Sequence, residues 1–179
     1  NTATQFEEIL ANLEKQDMKG LIVDVRSNPG GLLKSVVQIL DDILPEGTVV
    51  YTEDKYGKKD VYSSDAKCIN YPMVVLVNEN SASASEIFAG AVQDYGKAEI
   101  VGTQTYGKGV VQSIRQLSDG SAIKLTVANY YTPKGNNINK IGIKPDIEVS
   151  LDTSLLNKNK DEITHDEDNQ LQEAIKAVE

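Results

Sequence analysis

The sequence predicts a single α/β domain with a mixed β-sheet. Two segments each combine a short apolar run, a polar turn and a stretch with helical apolar spacing, which is typical of strand-turn-helix units. Beyond Gly96 the pattern changes to runs that alternate apolar and polar residues, as strands do. The length of 179 residues and the hydrophobic content of 40% suit one core of ordinary size.

The first strand-turn-helix unit follows an initial helix. Thr4 and Glu7 form a capping-box pattern, and the apolar spacing after them predicts a helix that ends near Gln16. Residues 21–25 predict a buried strand, which the turn residues 28–31 terminate. A second helix follows, and its apolar face consists of Leu33, Val36, Val37, Leu40, Ile43 and Leu44.

The second unit and the strands after it complete the predicted fold. Residues 48–53 and 61–63 can pair as a hairpin. Residues 73–77 predict another buried strand, and the spacing after it predicts a helix over 84–95. The remaining elements are strands at 99–102, 110–117 and 121–131, a polar acidic segment at 157–169, and a closing helix marked by Leu171, Ile175 and Val178.

Composition excludes several classes of partner. The net charge of -9 and the isoelectric point near 4.7 argue against nucleic acid or an anionic membrane surface, because both require clustered Lys and Arg. The single cysteine, Cys68, cannot form an intrachain disulfide. No segment approaches the roughly 20 apolar residues of a transmembrane helix. We expect no cofactor and no metal, and the first residue, Asn1, suggests a fragment of a longer protein.

Three serines compete for a chemical role at the start of the predicted helix 84–95. Ser81, Ser83 and Ser85 lie between a buried strand and this helix, where an exposed nucleophile gains most from the helix N-terminus. An alternative is purely structural, because Ser83 and Glu86 also form a capping-box pattern.

A serine nucleophile needs a base that takes its proton. The one histidine, His165, lies in a polar stretch typical of a solvated tail, which disfavours a serine-histidine triad. A buried lysine can serve instead, because desolvation favours the neutral amine. Lys108 lies between Gly107 and Gly109, whose small size lets the chain pass close to another backbone. If Lys108 begins a strand, Gln112 faces the same side four residues on, although an ordinary loop lysine fits the spacing too.

Backbone amides for an oxyanion are the other ingredient of acyl transfer. The turn at residues 28–31 can supply one from Gly30 or Gly31, and the amide of Ala84 can supply the second. An ordinary Pro-Gly turn is the alternative reading of the first of these segments.

Four blocks, at residues 21–31, 80–87, 105–109 and 131–147, together resemble the C-terminal processing peptidases, also called tail-specific proteases. The resemblance covers about residues 5–150. It implies a crotonase-like (ClpP/crotonase) spiral of ββα units within the α/β class.

The resemblance also implies functional roles for individual residues. Ser83 matches the nucleophile, Lys108 the general base and Gln112 the family's third residue. Asp94 matches an acidic position that supports the site in some members, although it can equally be a structural polar group.

Domain organisation follows from the same resemblance. We expect a serine-lysine peptidase core at residues 1–152, an acidic tail with a short C-terminal helix at 153–179, and an upstream PDZ domain outside this chain. The resemblance implies protein or peptide substrates with accessible C-termini, an extracytoplasmic location as in exported bacterial enzymes, and a homo-oligomer formed through missing segments.

The functional hypothesis is therefore a serine endopeptidase that acts near protein C-termini. A non-catalytic domain that binds peptide tails or apolar ligands on the same scaffold is the alternative. An acyl-CoA enzyme is a third reading, but the sequence offers no evident basic site for the nucleotide.

Overall fold

A computed structural model describes residues 2–158 and 162–179. The helices are α1 (Thr2–Glu14), α2 (Leu33–Ile43), α3 (Ala84–Asp94) and α4 (Asn169–Val178), with a 3-10 turn at Thr153–Leu155. The strands are β1 (Leu21–Asp24), β2 (Gly47–Asp54), β3 (Lys59–Ser64), β4 (Met73–Val77), β5 (Glu99–Gly102), β6 (Val110–Gln116), β7 (Ala122–Tyr131) and β8 (Ile147–Glu148). Part of the predicted polar segment, residues 159–161, lies outside the described residues, as does the first residue.

The strands form two sheets, one entirely parallel and one entirely antiparallel. The parallel sheet has the order β1-β4-β5-β8, and the antiparallel sheet has the order β3-β2-β7-β6. The predicted α/β class is confirmed, but the single mixed sheet is wrong. Apolar periodicity identifies strands without showing which strands share hydrogen bonds, so sequence alone did not separate the two sheets.

The parallel sheet is buried on both faces, which explains its continuous apolar runs. All five residues of β4 are buried. Met73, Val75 and Val77 belong to the main core with α2 and α3, whereas Val74 and Leu76 pack with Ala174 of α4 on the opposite face. The predicted closing helix is thus confirmed, and it is the second covering layer of the sheet.

An ion pair joins α4 to the end of β1. The Arg26 guanidinium donates to Asp168 Oδ2 at 2.7 Å and to Asp24 Oδ2 at 3.0 Å, and it also reaches Gln170 Oε1 at 3.0 Å. Asp168 caps α4 by accepting from the Leu171 amide at 3.0 Å. Burial opposes the charge of Arg26 and lowers its pKa, but the hydrogen bonds that it donates to Asp168 and Asp24 raise the pKa above the ordinary value. For Asp168, burial alone would raise the carboxyl pKa. The hydrogen bonds that it accepts from Arg26 and from the Leu171 amide outweigh burial, and the pKa is lowered.

Across 2–158 and 162–179, no helix combines the length and apolar character needed to cross a bilayer.

Replacing Asp168 by Asn should destabilise the fold. A lowered carboxyl pKa stabilises the native state above the unfolded pKa, near 4, and this stabilisation is lost as pH falls through the native value. We expect Asp168→Asn to reduce the free energy of unfolding by roughly 2 kcal/mol at pH 7, the size of a hydrogen bond to a charged group, and to flatten its decline between about pH 5 and pH 2. Urea unfolding across this pH range measures both effects. The exposed neighbour variant Asp166→Asn is the control, and equal behaviour of the two variants would remove Asp168 from this role.

Candidate active site

Ser83 occupies a strained turn between β4 and α3. Its backbone angles are φ 57° and ψ -115°, and it is the N-cap of α3. Such a conformation costs a non-glycine residue about 1–3 kcal/mol, so the surrounding contacts must enforce it. The Ala82 amide donates to the Asn28 carbonyl at 3.0 Å, and the Ser83 amide donates to Glu86 Oε2 at 2.9 Å. These bonds fix the turn on both sides of Ser83.

The two neighbouring serines have structural roles. Ser81 is fully buried, and its hydroxyl donates to the Val25 carbonyl at 2.7 Å. Ser85 is 5% exposed, and its hydroxyl donates to the Asn28 carbonyl at 3.1 Å. Ser83 is half-buried, so it alone of the three presents a side chain toward solvent.

The Glu86 carboxylate connects the Ser83 turn to the segment that carries Lys108. Glu86 is fully buried and accepts four hydrogen bonds. Oε1 accepts from the Thr105 hydroxyl and the Gly107 amide, both at 2.6 Å. Oε2 accepts from the Ser83 amide at 2.9 Å and the Lys108 amide at 2.8 Å. Because both amides bond to one oxygen atom, their nitrogens lie no farther apart than the sum of these two distances.

Thr105 extends this connection to the segment at 138–143. Its Oγ1 donates to Glu86 and accepts from the Ile143 amide at 2.7 Å. The Lys140 amide donates to the Gly107 carbonyl at 2.8 Å. The Lys108 backbone is therefore held from two sides.

The glycines beside Lys108 behave as predicted. Gly107 and Gly109 are buried, and Gly107 adopts φ +85°. A Cβ at Gly107 would lie 3.1 Å from the Ile141 amide nitrogen, and one at Gly109 would clash with the Asn139 backbone. The predicted close backbone passage is confirmed at both positions.

Lys108 itself is exposed, so its predicted burial is wrong. The Glu86 and 138–142 contacts bury the backbone of this segment, and the side chain projects away from them. Among the described residues, no hydrogen bond joins the Lys108 side chain to the Ser83 hydroxyl.

The expected alignment of Gln112 with Lys108 does not hold in this structure. Strand β6 begins at Val110 rather than at Lys108. A register shift between Val111 and Gln112 also interrupts the alternation, so the two-residue period cannot be counted from Lys108. Gln112 is exposed and lies opposite Thr126 in β7.

The turn at residues 28–31 packs directly against the Ser83 turn. Gly30 adopts φ +91°, and a Cβ there would lie 2.5 Å from the Ala82 carbonyl oxygen and 2.6 Å from the Ala84 nitrogen. Its own amide donates to Asn28 Oδ1 at 2.9 Å, which makes Gly30 a poor oxyanion donor. Gly31 is exposed, and Ala84 has no intrahelical acceptor as the first residue of α3. The two remaining predicted donors, Gly31 and Ala84, therefore suit an external acceptor.

Asp94 and His165 make none of the contacts described above around Ser83, Glu86 and Lys108. Asp94 ends α3, so it is roughly 16 Å along the helix axis from Ser83. It accepts from the Lys134 amide at 2.8 Å, which supports the structural reading. His165 is exposed, as a solvated tail residue should be.

Sequence reasoning recognised Glu86 only as half of a capping box. The reciprocal bond from the Ser83 amide confirms that half, but the bonds to residues 105–108 were not foreseen. The available signal was a carboxylate in the first turn of a helix that is otherwise apolar, since such a group requires buried donors.

Known proteins are similar to this chain in sequence and in fold. A carboxyl-terminal-processing protease from Synechocystis sp. is 46% identical over 149 residues, which cover 81% of this chain and 35% of the relative. A chloroplastic C-terminal processing peptidase from Tetradesmus obliquus is 42% identical over 151 residues, which cover 83% of this chain and 32% of that protein. The structure of a photosystem II D1 C-terminal processing protease matches with a TM-score of 0.79 at 42% identity, over 84% of this chain and 39% of that one.

These similarities, together with the α/β fold, assign the chain to a family of peptidases. The sequence profile of Peptidase family S41 matches residues 1–149, and the chain belongs to this family. The resemblance to C-terminal processing peptidases is thereby confirmed. The chain spans about a third of the length of the first relatives that it matches.

Replacing Glu86 by Gln should loosen the segment at 105–108. The glutamine side chain keeps the shape but places an amide NH2 group, a hydrogen-bond donor, where a carboxylate oxygen accepts hydrogen bonds. We expect a loss of roughly 3 kcal/mol in the free energy of unfolding, since bonds to a buried charged group are lost. We also expect faster hydrogen exchange at the Gly107 and Lys108 amides.

Urea unfolding and amide exchange by NMR measure these two effects. The exposed carboxylate variant Glu99→Gln is the control. Unchanged exchange at Gly107 and Lys108 in Glu86→Gln would contradict the connecting role.

Proposed function

We propose that this chain is the catalytic core of a serine endopeptidase that cleaves proteins near their C-termini through an acyl-enzyme on Ser83, with Lys108 as general base. One observation carries the proposal. The half-buried Ser83 and the Lys108 segment are both fixed by hydrogen bonds to a single buried oxygen of Glu86. A nucleophile and a base that must meet need such a common support.

The chemistry follows from these positions. The Lys108 amine takes the proton of the Ser83 hydroxyl while Oγ attacks the peptide carbonyl carbon. The amides of Gly31 and Ala84 stabilise the oxyanion, and one such donor typically contributes about 3 kcal/mol to barrier lowering. Collapse breaks the carbon-nitrogen bond, and Lys108 returns its proton to the leaving amine. Water then attacks the acyl carbon while Lys108 takes its proton, the bond from that carbon to Ser83 Oγ breaks, and Lys108 returns the proton to Oγ.

The separation of the Lys108 ammonium from Ser83 is compatible with this proposal. Catalytic hydrogen bonds are often long before substrate binds and shorten in the complex. The exposed side chain of Lys108 has the freedom to rotate toward Ser83 while its backbone stays fixed. In this proposal, Gln112 orients the Lys108 amine after the rotation.

Protein or peptide substrates with accessible C-termini follow from the names of the relatives, which are carboxyl-terminal-processing proteases. The proposal includes an upstream PDZ domain, assembly through segments beyond this chain, and an extracytoplasmic location. It also assigns the chain to the crotonase-like spiral, supported by α2 and α3, which each follow a strand of the parallel sheet and contact each other.

Ser83→Ala and Lys108→Ala should each reduce cleavage of an unstructured protein at least about 1,000-fold without unfolding the domain, because each removes a reacting group. The measurement compares these variants in the full-length protein by the rate of substrate loss. Lys124→Ala, an exposed lysine of β7, is the matched control and should retain activity.

The opposite results separate the alternatives. Cleavage that survives Ser83→Ala would assign the reaction to another nucleophile. A native protein that binds peptide tails without cleaving them would favour the non-catalytic binding domain.

A further inference from the structure

An apolar cavity lies directly beside the Ser83 turn. It is a cleft open to solvent with a volume of about 540 Å³, and it is lined by residues of α1, β1, α2 and α3 and of the turn at 28–32. This volume falls within the roughly 300–1,000 Å³ of typical ligand pockets. The apolar side chains that line it include Phe6, Val23, Val25, Val36, Ile39 and Phe88.

One end of the cavity is formed by the proposed oxyanion donors. Gly31 and Ala84 both line it, and Gly30 approaches the Ser83 Cβ so closely that a methyl group would lie 2.9 Å from it. A carbonyl oxygen held by these two amides therefore belongs to a residue whose side chain can enter the cavity. That residue is the one on the amino side of the cleaved bond.

Charge selects among the possible occupants. Asp24 is the one charged residue in the lining, and both of its carboxylate oxygens accept from the Arg26 guanidinium, at 3.1 and 3.0 Å. The cavity thus offers no carboxylate dedicated to a basic side chain, and its apolar walls disfavour an acidic one.

We propose that this cavity binds the side chain of the residue whose carbonyl is attacked, and that it selects bulky apolar residues such as Leu and Phe. The inference rests on the proposed peptidase function and names its specificity. Burial of such a side chain should favour Leu or Phe over Ala by about 10- to 100-fold in kcat/KM. Lys and Glu should be disfavoured at least as strongly.

The first test measures kcat/KM for matched peptides that differ only at this residue, with Leu, Phe, Ala or Lys. Ile39→Phe fills part of the cavity from α2 and should abolish the preference for Phe over Ala. The matched control is Ile9→Phe, the same change at an exposed position of α1 outside the lining. Cleavage that depends on Ser83 but is indifferent to this residue would overturn the cavity assignment and leave the proposed function intact.

A variant that introduces a carboxylate into the cavity should improve cleavage of the Lys peptide. Ser35 lies in the lining and in the first turn of α2, where a carboxylate is compatible with the helix dipole. Ser35→Asp should raise the kcat/KM of the Lys peptide relative to the Leu peptide by about tenfold or more. An unchanged ratio in the folded variant would contradict the assignment.

A second measurement does not require turnover. N-acetyl-leucinamide and N-acetyl-lysinamide are each titrated into the protein labelled at its Ile, Leu and Val methyl groups. We expect the leucine probe to shift the Val36 and Ile39 signals and the lysine probe to leave them unchanged. Such shifts in a protein that cleaves nothing would retain the cavity and reject the proposed function, whereas equal responses to both probes would reject the cavity.

Discussion

The arrangement of the candidate site depends on one buried carboxylate. A carboxylate with no solvent contact is stable only when its oxygen atoms accept hydrogen bonds from the protein, and those of Glu86 accept four. Three of these donors are backbone amides, so the carboxylate specifies the path of the main chain rather than the identity of side chains. Both the Ser83 turn and the Lys108 segment take their positions from this contact.

The site forms where the two sheets meet. The parallel sheet leads the chain through β1 to Gly31 and through β4 to Ser83, while Lys108 lies just before the antiparallel strand β6. The carboxyl ends of β1 and β4 are adjacent because these strands pair in parallel. The Asn28 carbonyl then joins their two turns through Ala82 and Ser85. Parallel pairing therefore brings residues more than 50 positions apart together on one side of the candidate site.

Sequence patterns predicted the features that depend on interactions between residues close in the chain. The helices, most strands, the Gly107 and Gly109 passage and the exposed His165 followed from periodicity, turn chemistry and polarity. The division into two sheets, the two-residue strand β8 and the exposure of Lys108 did not, because they depend on tertiary pairing. Glu86 shows the limit clearly, since a capping box reports one local bond and says nothing of donors 19 to 22 residues away.

Under the proposed function, the backbone of Ser83 places stability and reactivity in opposition at a single residue. A left-handed conformation at a side chain with a Cβ raises the energy of the native state, and glycine would relieve that strain. Selection for stability alone would thus favour the loss of the hydroxyl. Drift in a lineage released from the need for catalysis should accordingly begin at this turn, with the remainder of the fold preserved.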